Sequence, residues 1–110
     1  MAFDEGLAQR VTELLADNPY TTQKKIFGGM GFMISGNMCV GIMGDCMVVR
    51  VGPQSYDHAL SLPHAREFDF TGRSMKGWGM VDPQGLAEDE DLEQWLKKGE
   101  RFASALMPKG

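Results

Sequence analysis

Two cysteines and two histidines are the side chains best suited to nucleophilic, redox or metal chemistry in this chain. Their spacing supports none of it. Cys39 and Cys46 form no Cys-x-x-Cys motif, and a strand pattern holds them too far apart for a disulfide. His58 and His64 are separated by Pro63 and make no His-x3-His or Glu-x-x-His face for a metal ion. Ser55, Asp57 and His58 are too close in sequence to take up triad geometry easily. Gly28-Gly29-Met30-Gly31 resembles a phosphate loop only superficially, because it leads into a strand pattern and lacks the Lys-Ser/Thr pair. Asp89, Glu90, Asp91 and Glu93 lack the calcium-loop pattern and read as the first turn of a helix. The expectation is no catalytic residue, no metal ligand and no cofactor, hence not an enzyme. An unrecognised site around His58 or His64 is the enzymatic alternative.

Binding chemistry is more informative. Nine methionines are present, five of them from Met30 to Met47. Soft sulfur selects Cu(I), but without MxxM or CxxC these thioethers read as adaptable packing, suited to a partner surface. Eleven Lys and Arg against fifteen Asp and Glu give a net charge of −4, which works against a non-specific grip on phosphates. Direct nucleic-acid binding would have to use Lys24, Lys25, Arg50, Arg73 and Lys76, with Trp78 as a stacking platform. It stands as the alternative to a protein-binding role.

These groups must be positioned by a single domain, since 110 residues and 12.1 kDa suit one core. Phe3, Leu7, Val11, Leu14 and Leu15 mark one face of a helix over 4–17, capped by Asp4 and ended by Asn18-Pro19. Residues 25–51 read as three strands. Gly44-Asp45 forms a hairpin loop that pairs Met43 with Cys46, Ile42 with Met47 and Val40 with Val49. A three-residue loop Ser35-Gly36-Asn37 would pair Ile34 with Met38, Phe32 with Val40 and Met30 with Ile42. In this register Met30, Met38 and Met47 face the core, and both cysteines face outward with Met33 and Met43. Gln54 to Leu60 reads as a short helix, and 67–70 and 77–81 as strands. Leu92, Trp95, Leu96, Gly99, Phe102, Ala103 and Leu106 form the stripe of a final helix. The order α-β-β-β-α-β-β-α predicts an α+β two-layer sandwich, its antiparallel sheet carrying helices on one face. Leu7, Val11, Phe32, Val40, Ile42, Val49, Trp95, Leu96 and Phe102 form the expected core. No signal peptide and no long apolar span is visible, so a soluble cytoplasmic protein with no membrane partner is expected.

The run Lys25-Ile26-Phe27-Gly28-Gly29-Met30-Gly31-Phe32, followed by Ser35-Gly36-Asn37-Met38, resembles the opening of the TfoX N-terminal domain family. Gly77-Trp78-Gly79-Met80-Val81, the proline turn after it and the Leu92/Trp95 helix look like the same family. The resemblance implies the α+β domain already read from the pattern. It also implies kinship with bacterial two-domain activators of competence genes, and a partner in the transcription machinery. The length leads us to expect a stand-alone domain without their C-terminal part. The expected function is a non-enzymatic interaction module, possible in regulation. Its expected contact surface is Phe27, Gly28, Gly29, Gly31, Met33, Met43, Val48 and Arg50, on the non-core face or edge of the sheet. A protein partner or a second copy of the chain could cover it. Gly29 is expected to tolerate valine in the fold while losing association.

Overall fold

A computed structural model describes residues 4–26, 29–70 and 73–106. The Asp4 carboxylate accepts the Leu7 N–H at 3.1 Å and starts α1, Glu5–Leu14. The strands are β1 (Thr21–Ile26), β2 (Gly29–Ile34), β3 (Asn37–Met43), β4 (Cys46–Arg50), β5 (Ala65–Phe70) and β6 (Arg73–Val81). A short helix α2, Tyr56–Leu60, precedes β5, and α3, Asp89–Ala105, ends the described chain. All neighbouring strands pair antiparallel in the order β1-β2-β3-β4-β6-β5. The α+β class with helices packed on the sheet is as expected.

Two details of the expected order need correction. The sheet has a sixth strand, β1, ahead of those read from the sequence. Thr-Thr-Gln-Lys-Lys-Ile shows no apolar alternation, so it carries no strand signal. It is an edge strand held by its ladder to β2, and its lysines suit an unpaired edge. The β2–β3 connection is also a two-residue turn. Ser35 and Gly36 both take positive φ, 51° and 83°, and Ile34 pairs with Asn37. The ladder then slips, because Met33 pairs with Met38 while Phe32 pairs with Val40. Cys39 is the extra residue of a β-bulge.

That bulge reverses the expected facing at its position. Cys39 joins the core under α3. Met38 turns outward, its Cε lying 2.7 Å from where a Cβ on Gly41 would sit. Beyond the bulge the expected register holds, with Val40, Ile42 and Met43 opposite Val49, Met47 and Cys46.

The core lies between the sheet and the helices. Leu7 and Val11 of α1, and Leu92, Trp95, Leu96 and Ala103 of α3, cover Phe32, Val40, Ile42, Met47 and Val49. Each Val, Leu, Ile, Phe or Met side chain among them that is fully removed from water stabilises the fold by about 1.5–3 kcal/mol. Gly99 lets α3 lie close on the bulge. A Cβ there would be 2.7 Å from the Cys39 carbonyl oxygen and 3.1 Å from its Sγ. Phe102 departs from the expected core. It is half-buried at the sheet's end, over Gly52 and against Arg50. No helix among the described residues is long and apolar enough to cross a membrane.

Candidate interaction surface

Strand register aligns Lys24, Gly31, Gly41, Val48, Met80 and Arg66 across the sheet. Gly41 alternates with the core residues Val40 and Ile42, so this row belongs to the outer face. Lys24 and Arg66, at its two ends, are exposed, whereas Gly31, Gly41 and Val48 are buried. Val48 is only 1% exposed, so the middle of this face is a closed floor. Its half-buried side chains are Met33, Met43, Cys46, Arg50, Trp78 and Met80.

Of the surface expected from sequence, Met33, Met43 and Arg50 thus offer accessible side-chain atoms. Phe27 and Gly28 lie outside the described residues. Gly31 and Val48 are part of the floor. Gly29 is buried by backbone, because a Cβ there would fall on the Ile42 carbonyl oxygen. Its glycine is required by strand packing, which corrects the expectation that valine fits. Sequence reasoning missed Met38, Arg66 and Met80. The bulge hid Met38, while Arg66 lies outside the strand boundary read from the pattern. The period-2 pattern of 77–81 places Met80 opposite Val81, and that signal was available.

At one end of the face, Cys46 Sγ lies 3.6 Å from Asp45 Oδ1 and 3.7 Å from Asp82 Oδ1. Arg66 donates from Nε to Asp82 at 3.0 Å and from Nη2 to Cys46 Sγ at 3.8 Å. Burial, then the hydrogen bond and charge of Asp45, push the Cys46 thiol up, and Arg66 only partly opposes them. Cys39, on the opposite face, is pushed up to about 12, by burial first and by Glu100 second. Both thiols are free and neither is activated.

At the other end, the Arg50 guanidinium carbon lies 5.2 Å from the ring centroid of Trp78 and 5.2 Å from that of Phe102. Trp78 is backed by Phe68 at 6.4 Å between centroids. Gly52 and Gly77, at φ 87° and 94°, permit this arrangement. The Val51 and Gly52 N–H groups both donate to the Gly77 carbonyl, at 2.9 and 3.0 Å. A Cβ on Gly52 would sit 2.5 Å from the Phe102 ring.

The basic residues of the nucleic-acid alternative are not gathered. Lys24 and Lys25 lie on β1, and Arg50 on β4, three strand spacings or about 14 Å away. Arg73 and Lys76 belong to β6, a strand further still. Trp78 is half-buried against Arg50. His58 is exposed on α2. His64 has φ 65° and borders a recess of about 130 Å³ lined by Leu62, Pro63, Gly85, Asp91, Gln94, Trp95 and Lys98. That is smaller than the roughly 300–1,000 Å³ of ordinary ligand pockets.

A comparison with protein families matches the TfoX N-terminal domain over residues 13–103, nearly the whole chain. A search of curated proteins finds no match.

Proposed function

Since this chain belongs to the TfoX N-terminal domain family, we propose that it is a non-enzymatic interaction module that meets a protein partner through the outer face of its sheet. The observation that carries this reading is the grouping of the half-buried Met33, Met43 and Met80 on that face, around a floor of Gly31, Gly41, Val48 and the buried Met38. Unbranched thioethers re-pack against differently shaped apolar groups at small cost. The glycines and valine of that floor leave them room to do so. Lys24, exposed at one margin, favours a partner with acidic character. By resemblance to the competence regulators, the partner class is a component of the transcription machinery in the cytoplasm.

A photo-crosslinking side chain at Met33 or Met43 tests this reading, with one at the exposed Glu93 of α3 as control. The outer-face positions should form an adduct with one protein, either a partner or a second copy of the chain. Met43→Glu should abolish that adduct without changing the melting temperature by more than a few degrees. Adducts formed equally from Glu93, or from none of the positions, would remove the outer face as the contact surface.

A further inference from the structure

Among the described residues, the Arg50 guanidinium is held by aromatic rings. Its guanidinium lies against Trp78 from β6 and Phe102 from α3, at 5.2 Å from each centroid. Among the described residues no carboxylate or carbonyl accepts a hydrogen bond from it, although the group is half-buried. Arg10 and Arg66, by contrast, each have a carboxylate partner. An aromatic ring is not a carboxylate or carbonyl acceptor, so these contacts leave N–H donors of the guanidinium available to a ligand. The surrounding backbone is built for this arrangement. Gly77 and Gly52 adopt left-handed φ, the Gly77 carbonyl takes two N–H donors from β4's end, and Phe102 occupies the space over Gly52. Contact with two rings restricts the Arg50 side chain before anything binds, which lowers the ordering cost of binding to it.

We infer that Arg50 is a recognition site for a carboxylate, an Asp, Glu or C-terminal group presented by the partner. This rests on the interaction-module reading above and names the chemistry that the partner must carry. A carboxylate is planar, carries one negative charge and accepts two parallel N–H bonds, which one guanidinium can supply. A phosphate brings more charge than one arginine neutralises, and the chain as a whole is net −4. The Trp78 and Phe102 rings beside the fork provide apolar contact for the carbons that carry the carboxylate.

The test is an NMR titration of the ¹⁵N-labelled chain. Arg50 Nε–H is assigned by its loss in Arg50→Lys, and the Trp78 indole N–H is followed beside it. Glutarate, inorganic phosphate and chloride are the probes, at matched ionic strength. Glutarate should shift both signals saturably in the millimolar range, and phosphate should bind at least threefold more weakly. Chloride should give no saturable shift. Arg50→Lys should abolish the saturable response at Trp78, and Trp78→Leu should weaken glutarate at least threefold. Phe102→Leu serves the same purpose if Trp78→Leu fails to fold. Linear, chloride-like responses overturn the site. Tighter phosphate binding overturns its assignment to carboxylates, and unchanged affinity in both ring variants overturns the role of the rings. A saturable glutarate site in a protein whose outer face cross-links to nothing would leave the carboxylate site standing and remove the module. Cross-linking that survives Arg50→Lys, with no glutarate response, would do the reverse.

Discussion

Replacing Gly99 by alanine sets two opposing effects against each other. Alanine in a helix interior is favoured over glycine by about 1 kcal/mol. On an exposed helix face the substitution would therefore stabilise. Here the added Cβ falls 2.7 Å from the Cys39 carbonyl oxygen and 3.1 Å from both Cys39 Sγ and Val40 Cγ1. The oxygen is backbone and cannot rotate away, so α3 must lift or the bulge must give. Overpacking of this kind costs about 1–3 kcal/mol. The clash should win, leaving Gly99→Ala less stable by up to about 2 kcal/mol, or up to roughly 9 °C in Tm for a domain of this size. Calorimetry or urea unfolding measures the loss. Counting reactive thiols under native conditions gives a second readout, since a lifted helix should let a thiol reagent reach Cys39. A Tm equal to or above that of the parent, with Cys39 still protected, would mean that α3 does not rest on the bulge. Phe102 follows Gly99 by three residues on α3, so the same variant should also disturb the ring contact at Arg50.

Gly29→Val should cost roughly 3 kcal/mol or more, because its Cβ meets the Ile42 backbone. A parent-like urea midpoint would contradict the observed strand packing. Cys39 should make the fold sensitive to alkali. Its folded pKa is raised from 9.0 to about 12, so this contribution is intact below about pH 9 and is lost as pH rises toward 12, by about 1.4 kcal/mol per unit. Cys39→Ala should flatten the fall in stability between about pH 9 and 10.5 relative to the parent, and identical slopes would refute the assignment. Asp45→Asn removes two of the influences that raise the Cys46 pKa, so it should speed iodoacetamide alkylation of Cys46 at pH 8. An unchanged or slower rate would show that Asp45 does not govern this thiol.

Helices and the β3–β4 hairpin were legible because their sequences alternate. α1 and α3 carry apolar residues at helical spacing, and the pairing of Val40 with Val49 follows from the tight Gly44-Asp45 loop. β1 was not legible, since six polar-rich residues at a sheet edge need no buried face. The bulge was equally hidden. Met38-Cys39-Val40-Gly41-Ile42 is apolar on both sides, so alternation gives no phase to reveal an extra residue. The outer face was partly readable, as Met33, Met43 and Arg50 show. Its closed floor and the rings around Arg50 depend on contacts between β4, β6 and α3 that no local pattern records.

Cys39 and Gly99 together have a mechanical consequence. Cys39 is one residue more than a regular β2–β3 ladder needs, and Gly99 is the one glycine in α3. The inserted residue acts as a peg, and the missing side chain acts as its notch. A helix on a sheet can otherwise slide along its axis, exchanging one apolar contact for the next about 5.4 Å away. Here a slide of one turn would bring a side chain such as Trp95 or Ala103 onto the peg, where even a methyl group meets backbone oxygen. The axial setting of α3 is thereby indexed at a single point. Every residue on the helix, Phe102 included, inherits its position along the sheet from that index.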